Sequence, residues 1–180
     1  MSLSDPQTRL VRAALEQRTR AYAPYSRFRV GASVMDGEGS VYGGCNVESA
    51  SYGLSVCAER VAVGHWHASR PPVGATAPGS RLERVAVVAA NAHGVLREFC
   101  YPCGACRQVL VEHAAPDAEL LLVREASTSA DHHGEGARPP SGPLCAWEAY
   151  EVLVTRLADT LPHAFAAPQL GAEDTAGTSR

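Results

Sequence analysis

Two cysteines in the segment Pro102-Cys103-Gly104-Ala105-Cys106 are spaced so that both thiolates can bind one metal ion. A proline precedes them, and the helical pattern of residues 107–113 follows. Structural zinc takes four protein ligands, whereas catalytic zinc takes three and keeps one position open for water. The third ligand therefore decides whether this turn is a scaffold or part of a reactive site.

Cys57 is the best candidate for the third ligand, because it also precedes a helical pattern and is followed two residues later by Glu59. Cys57 and Cys103 both stand at predicted helix N termini, where free backbone amides and the helix dipole favour the thiolate. Beside an open zinc position, Glu59 can carry protons between water and a substrate. The pattern favours a catalytic zinc site formed by Cys57, Cys103 and Cys106.

Three thiolates leave a zinc site with a net negative charge, which on its own makes a bound water less acidic. A guanidinium that donates a hydrogen bond to a thiolate sulfur withdraws part of this charge. Arg60 and Arg107 both lie beside ligand segments. Arg60 is the stronger candidate, because one helical turn brings it back towards Cys57.

The same cysteines allow an iron–sulfur site as an alternative, since such clusters take four cysteine ligands. The run Cys100-x-x-Cys103-x-x-Cys106 would supply three, and the fourth would come from the remaining cysteines: Cys45, Cys57 or Cys145. Glu59 could likewise be a solvated acid on a helix. A glutamate two residues after the first ligand and a later Pro-Cys-x-x-Cys favour the zinc interpretation, because zinc-dependent deaminases carry this signature.

The surrounding sequence predicts an α/β fold. Helical spacing predicts three helices and a short fourth one: residues 5–22, 57–67, 103–113 and 156–161. β-Prone runs predict five strands: residues 28–35, 41–47, 84–90, 119–123 and 148–154. A hairpin followed by alternating helices and strands indicates a sheet with helices on both faces.

Polar side chains follow the second predicted strand, in the segment Gly44-Cys45-Asn46-Val47-Glu48. Proteins of the α/β class place ligands at such strand ends. Ordinary loop polarity explains the same residues equally well, so the local pattern leaves both interpretations open.

A chain of 180 residues with 46% hydrophobic content is long enough for one domain with a substantial core. We expect that domain to span residues 1–166, with a surface loop inserted at 124–144 and a flexible tail at 167–180. His132 and His133 lie in the loop, where solvated histidines are the favoured interpretation over metal ligands.

Charge and cysteine content limit the functional classes. The formal net charge is -3, and the interspersed charges form no footprint for nucleic acid. Neither a signal peptide nor a membrane-spanning run is evident, so we expect a soluble cytoplasmic protein without a membrane partner. In a reducing compartment, its six cysteines favour metal binding over disulfides.

Five ordered blocks cover most of the chain and resemble cytidine deaminases of the small, homotetrameric type that acts on free nucleosides. The blocks are Tyr25-Ser26-Arg27-Phe28-Arg29-Val30-Gly31-Ala32, Gly44-Cys45-Asn46-Val47-Glu48, Cys57-Ala58-Glu59-Arg60, Pro102-Cys103-Gly104-Ala105-Cys106-Arg107-Gln108 and Leu161-Pro162-His163-Ala164-Phe165. The resemblance implies an α/β/α sandwich with a mixed five-stranded sheet. It also implies one zinc per chain on Cys57, Cys103 and Cys106.

The implied reaction is hydrolytic deamination of cytidine and 2′-deoxycytidine to uridine and 2′-deoxyuridine, with release of ammonia. By the same resemblance, Glu59 transfers the protons of this reaction, and the enzyme serves pyrimidine salvage. Asn46 and Glu48 would form hydrogen bonds with the ribose hydroxyls, and the Ala58 backbone would bind the pyrimidine. Phe28 and Phe165 would pack on base or sugar, with Phe165 reaching a neighbouring subunit's site in a homotetramer with shared active sites.

Several residues depart from the usual family pattern. Ser49 stands where asparagine is common, Tyr101 where a small residue precedes Pro-Cys, and Thr160 where leucine is frequent. Tyr101 directly precedes residues 102–106, here called the metal turn, and its bulky side chain would narrow the substrate pocket. A deaminase of a modified cytosine nucleoside, such as a blasticidin-type antibiotic, is therefore an alternative, and a non-catalytic metal-binding module is a second one.

Overall fold

Seven β-strands form one mixed sheet in the computed structural model, which describes residues 2–71, 81–92, 94–126 and 144–162. In chain order they are β1 (Arg29–Asp36), β2 (Val41–Cys45), β3 (Leu82–Asn91), β4 (Gly94–Val95), β5 (Ala114–Glu125), β6 (Leu144–Trp147) and β7 (Tyr150–Arg156). Their spatial order is β2-β1-β3-β5-β7-β6, and β4 pairs with β3. Strands β3 and β5 are parallel, and the other paired strands are antiparallel.

Three α-helices cover this sheet: α1 (Asp5–Thr19), α2 (Ala58–Ala68) and α3 (Gly104–His113). Two short 3-10 helices span Tyr52–Leu54 and Leu157–Thr160. Helices α2 and α3 each begin directly after a cysteine with extended backbone, Cys57 and Cys103. Among the described residues, no helix has the length and apolar character needed to cross a membrane.

The two faces of the sheet carry separate parts of the core, which makes the fold a three-layer α/β/α sandwich. On β3, Val85 and Val87 pack in the cluster that contains residues of α2 and α3. Their neighbours Ala86 and Val88 pack in the cluster that contains residues of α1. Alternate side chains of a strand point to opposite faces, so a strand buried on both sides is apolar throughout.

All five predicted strands are present, but the sheet has seven strands rather than five. The two additional strands are short: β4 has two residues and β6 has four. Both are too short to produce a period-two pattern in the sequence. The predicted tail, the histidine pair and most of the predicted loop at 124–144 lie outside the described residues.

Several element ends differ from the sequence prediction, and β5 begins at Ala114 rather than at residue 119. Helix α1 and strand β2 end earlier than predicted because the chain makes other contacts there. Helix α1 ends at Thr19 rather than at residue 22, since the Tyr22 N–H donates to the Asn46 carbonyl at 3.0 Å. Strand β2 ends at Cys45 rather than at residue 47. The next residues turn away from the hairpin, and Val47 pairs instead with Val56.

Candidate active site

Three cysteine side chains converge where α2 and α3 begin. Cys57 and Cys103 are the N-cap residues of the two helices, and Cys106 lies in the first turn of α3. Their sulfur atoms all lie within 4.8 Å of one another, and the Sγ atoms of Cys57 and Cys103 are 4.0 Å apart. The helix starts thus bring together residues that are 46 positions apart in the sequence.

The protonation of these thiols indicates a site that prefers a cation at its centre. A hydrogen bond with Cys106 is the largest cause that lowers the pKa of Cys57 to about 6, and Cys103 and Arg60 lower this pKa further. The same hydrogen bond and burial raise the pKa of Cys106. Sulfur atoms this close share protons, and a metal ion can replace the shared protons.

The donor set fits one zinc ion with an open coordination position. Thiolates are preferred zinc ligands, and three of them leave the fourth position for water. In the described part of the chain, no fourth cysteine joins the group. Cys100 lies outside it, and burial raises the pKa of the Cys100 thiol to about 11. The geometry therefore does not favour a four-cysteine iron–sulfur cluster.

Glu59 is a buried carboxyl group in the first turn of α2, with 5% of its surface exposed. Burial raises the pKa of Glu59, because the charged form is poorly solvated there. A raised pKa favours the protonated form, so this carboxyl group holds a proton more readily than an exposed one does. The environment thus differs from that of a solvated acid on a helix surface.

A cavity of about 490 Å³ opens beside the thiolates and Glu59. Seven of the predicted site residues line it: Phe28, Asn46, Glu48, Cys57, Ala58, Glu59 and Cys103. Cys106 is fully buried next to the other two thiols. Arg60 is exposed and does not line the cavity, and Phe165 lies outside the described residues.

Close packing of α2 on β2 fixes the position of this helix start. A Cβ atom on Gly44 would lie 2.4 Å from the Ala62 nitrogen and 2.5 Å from the Ala58 carbonyl oxygen. These are backbone atoms, so only a residue without a side chain allows the approach. Gly44 thereby places the segment that carries Cys57 and Glu59 against the sheet.

Asn46 holds the beginning of β1 through both ends of its amide. Its Oδ1 accepts a hydrogen bond from the Val30 N–H at 2.7 Å, and its Nδ2 donates to the Phe28 carbonyl at 2.9 Å. One N–H and one acceptor position of the amide remain for other partners. Asn46 therefore lies at the cavity wall with its orientation fixed by the neighbouring strand.

The Glu48 carboxylate binds the turn that precedes β1. Its Oε2 accepts hydrogen bonds from the backbone N–H groups of Tyr25 at 2.9 Å and Ser26 at 3.2 Å. Its Oε1 accepts a hydrogen bond from the Ser26 hydroxyl. The Ser26 hydroxyl is the main cause that lowers the pKa of Glu48, so this carboxylate is negatively charged at neutral pH.

The two arginines proposed to offset the thiolate charge differ in their contacts. The positive charge of Arg60 is one of the causes that lower the pKa of Cys57. Arg107 instead donates from Nε to the Pro102 carbonyl at 2.6 Å and from Nη1 to the Thr160 carbonyl at 3.1 Å. Arg107 thus connects the metal turn to the end of the last 3-10 helix.

Several cavity residues were given no contact with a substrate by the sequence prediction: Tyr25 and Ser26 were named only within the Phe28 block, and Tyr52 was not named. The rings of Tyr25 and Tyr52 lie edge to face at 5.9 Å. Tyr25 belongs to the block that carries Phe28, whereas Tyr52 stands in an irregular segment where no pattern indicates it. Tyr101, which was predicted to narrow the pocket, lines the cavity and is 42% exposed.

A three-thiolate cluster beside a buried carboxyl group, at the wall of a cavity in an α/β/α sandwich, characterises a zinc-dependent hydrolase. Residues 4–122 match the family described as the cytidine and deoxycytidylate deaminase zinc-binding region. The chain belongs to this family.

Individual relatives agree with this assignment. The chain is 42% identical over 114 residues to a cytidine deaminase of Halalkalibacterium halodurans, covering 63% of this chain and 76% of that protein. It is 45% identical over 102 residues to a cytidine deaminase of Mycobacterium tuberculosis, covering 57% of this chain and 65% of that protein.

Solved structures of such enzymes share the fold. The crystal structure of cytidine deaminase from Burkholderia pseudomallei has a TM-score of 0.61 at 35% identity, covering 91% of this chain and all (100%) of that one. The crystal structure of cytidine deaminase from Mycobacterium tuberculosis has a TM-score of 0.60 at 32% identity, covering 91% and 98% of the two chains.

Proposed function

We propose that the protein deaminates cytidine and 2′-deoxycytidine hydrolytically, giving uridine or 2′-deoxyuridine and ammonia. The observation that carries this proposal is the buried carboxyl group of Glu59 beside the three-thiolate cluster. The two relatives described above are named cytidine deaminases, which supports the choice of substrate. A binding module without catalysis would have no use for a desolvated carboxyl group at its metal site.

The reaction needs a nucleophile at C4 of the cytosine and two proton transfers. Zinc held by Cys57, Cys103 and Cys106 would supply the nucleophile by lowering the pKa of water. Glu59 accepts the proton that the attacking water loses and delivers it to N3 of the ring. Glu59 then takes the proton of the new C4 hydroxyl group and transfers it to the amino group, the C4–N4 bond breaks, and ammonia leaves as the C4 carbonyl forms.

We assign four further residues of the cavity wall to substrate binding. Phe28 would pack on the base, and the Ala58 backbone would bind the pyrimidine. The free donor on Asn46 and the remaining acceptor position on Glu48 suit the hydroxyl groups of a sugar. Phe165 remains a prediction for a contact from a neighbouring subunit.

We propose that the chain assembles into a homotetramer in which each subunit contributes residues to a neighbouring subunit's active site. Four large apolar or aromatic side chains of the cavity wall are exposed: Tyr25, Val47, Tyr52 and Tyr101. Two further exposed ones adjoin the wall residues, since Tyr22 pairs with Val47 and Leu54 precedes Ser55. Exposed apolar groups of this kind mark protein–protein contacts. We further propose that residues 1–166 form a single domain. The protein would act in the cytoplasm, in pyrimidine salvage.

The proposal is tested by assaying the purified protein with cytidine, 2′-deoxycytidine and blasticidin S. We expect about one zinc per chain, an ultraviolet change with both simple nucleosides, and one ammonia released for each nucleoside consumed. Turnover of blasticidin S but of neither simple nucleoside would show that the substrate is a modified cytosine nucleoside. A folded, zinc-loaded protein inert to all three would contradict the proposal and leave a binding role.

A further inference from the structure

The hydroxyl group of Ser26 connects two residues to which we assign the nucleoside. Its hydrogen is donated to Glu48 Oε1, and its oxygen accepts a hydrogen bond from the Phe28 N–H at 2.9 Å. Ser26, Phe28 and Glu48 all line the cavity. A single side chain therefore lies between the proposed sugar contact and the proposed base contact.

The backbone around Ser26 takes a shape that needs such support. Arg27, the next residue, has a φ of 56°, in the left-handed region that residues with a side chain rarely adopt. Arg27 lies between Ser26 and Phe28, whose N–H turns back to donate to the Ser26 hydroxyl group. Residues in this region persist where surrounding contacts hold them, and these contacts are often part of a functional site.

The contacts nearly fill the hydrogen-bonding capacity of Glu48. A carboxylate has about four acceptor positions, and the Tyr25–Ser26 segment occupies three of them. The Ser26 hydroxyl group has one hydrogen, which it donates in the hydrogen bond to Glu48. Ser26 therefore has no second hydrogen to donate to a ligand. Any effect of Ser26 on a nucleoside must therefore pass through the residues that it holds.

We infer that Ser26 is a positioning residue, whose hydroxyl group orients the Glu48 carboxylate so that its remaining acceptor position faces a sugar hydroxyl in the cavity. The inference rests on the proposed function, because it assumes a nucleoside in this cavity. It predicts that loss of the hydroxyl group weakens sugar binding without slowing the steps at C4, where Glu59 acts. The Michaelis constant should change, and kcat should change little.

The test compares Ser26→Ala with Ser26→Thr and with the unaltered protein. For Ser26→Ala we expect KM for cytidine to rise about tenfold and kcat to change less than about twofold, as for one lost hydrogen bond to a charged group. Ser26→Thr keeps a hydroxyl group and should restore most of the affinity. Because Ser26 is exposed, the alanine variant loses no core packing.

Inhibition by two uracil nucleosides, with and without sugar hydroxyl groups, separates an effect on sugar binding from a general change of the cavity. The inhibition constant of uridine should rise about tenfold in Ser26→Ala, whereas that of 2′,3′-dideoxyuridine should change less than about twofold. Ser55→Ala is the matched control, since Ser55 lines the same cavity and its hydroxyl group accepts from the Ser49 N–H instead. It should leave the ratio of the two inhibition constants unaltered.

A second comparison asks whether Ser26 acts through Glu48. In a Glu48→Gln background, adding Ser26→Ala should raise KM by less than about twofold, because interacting residues are not additive. Equal effects of Ser26→Ala on both inhibitors, or a full effect in the Glu48→Gln background, would overturn the inference. Failure of the unaltered protein to deaminate cytidine would instead overturn the proposed function.

Discussion

The three cysteines of the site have different environments although they would share one ion. Cys106 is fully buried, Cys57 is half-buried and Cys103 is exposed. Hydrogen bonds with Cys106 and Cys103 lower the pKa of Cys57. Cys100 has the sequence spacing of a fourth ligand, but its sulfur atom lies outside the group of three. Burial also raises the pKa of the Cys100 thiol, which disfavours the thiolate that a metal needs.

Replacing Cys57 should therefore remove the metal, whereas replacing Cys100 should not. We expect Cys57→Ser to lower zinc affinity by more than about a hundredfold, since even losing a hydrogen-bond partner of a ligand costs about ten- to a hundredfold. Competition with a chromogenic chelator measures this affinity. Cys100→Ser serves as the control, and zinc loss there equal to that of Cys57→Ser would contradict a three-cysteine site.

The residues of the metal site could be predicted from the sequence because the relevant pattern is local. Cys57 and Glu59, like Cys103 and Cys106, lie within one helical turn of a helix start. The contacts of Glu48 could not be predicted in this way. They join residues 22 and 23 positions apart, in segments that only the folded chain brings together.

At the scale of elements, the site depends on how closely α2 approaches β2. Gly44→Ala would force a methyl group against the backbone of Ala58 and Ala62, and overpacking of this kind costs about 1–3 kcal/mol. We expect a lower free energy of unfolding by at least that amount, together with weaker zinc binding as the Cys57 segment moves. Chemical denaturation and zinc titration of the same preparations measure both effects.

Gly64→Ala is the matched control for this substitution. Gly64 lies within α2, and a Cβ atom there would meet nothing within 4 Å. Alanine favours a helix interior over glycine by roughly 0.5–1 kcal/mol, so this variant should be slightly more stable than the unaltered protein. Equal destabilisation by both substitutions would contradict close packing at Gly44 as the cause.

The C-terminal ends of α2 and α3 meet through His67 and His113, whose ring centres are 4.6 Å apart. Burial lowers the pKa of both histidines from the ordinary value of 6.5, and the positive charge of Arg70 lowers them further. For His113, Arg81 also lowers the pKa, while Glu112 opposes the shift. The folded protein therefore binds protons less readily here than the unfolded chain does.

Stability should accordingly fall as the pH decreases through the ordinary histidine pKa. The double variant His67→Gln/His113→Gln should flatten the change in melting temperature between about pH 7 and pH 5, because the unfolded state then gains fewer protons. Thermal unfolding of both proteins in the same buffers measures the difference. An unaltered pH dependence in the double variant would contradict the role of this histidine pair.

At the scale of the whole molecule, the sandwich presents its cavity at a surface rich in exposed apolar side chains. Tyr52 and Leu54 are the most exposed of these, at 74% and 71%. The helix and strand order could be predicted from periodicity, because each main strand is buried on at least one face. The two short strands β4 and β6 could not, since they follow from pairing with longer neighbours.

The proposed tetramer should depend on these exposed side chains. Leu54→Glu would place a charge in a subunit contact, and burying an unpaired charge costs several kcal/mol. We expect sedimentation to change from four chains to a smaller species. Leu144→Glu makes the same substitution at another exposed leucine, which lies at the start of β6, and should keep four chains. Dissociation by both variants, or by neither, would contradict a contact at the cavity mouth.

The central claim is that Glu59 transfers protons at a metal site held by three cysteines. Its most direct measurement is ammonia release from cytidine by the unaltered protein and by Glu59→Gln, with the zinc content of both determined. We predict that the variant retains its zinc and loses at least about a hundredfold in kcat, the range of general acid–base catalysis being about 10²–10⁴. An active variant, or a zinc-loaded unaltered protein that releases no ammonia, would contradict the account.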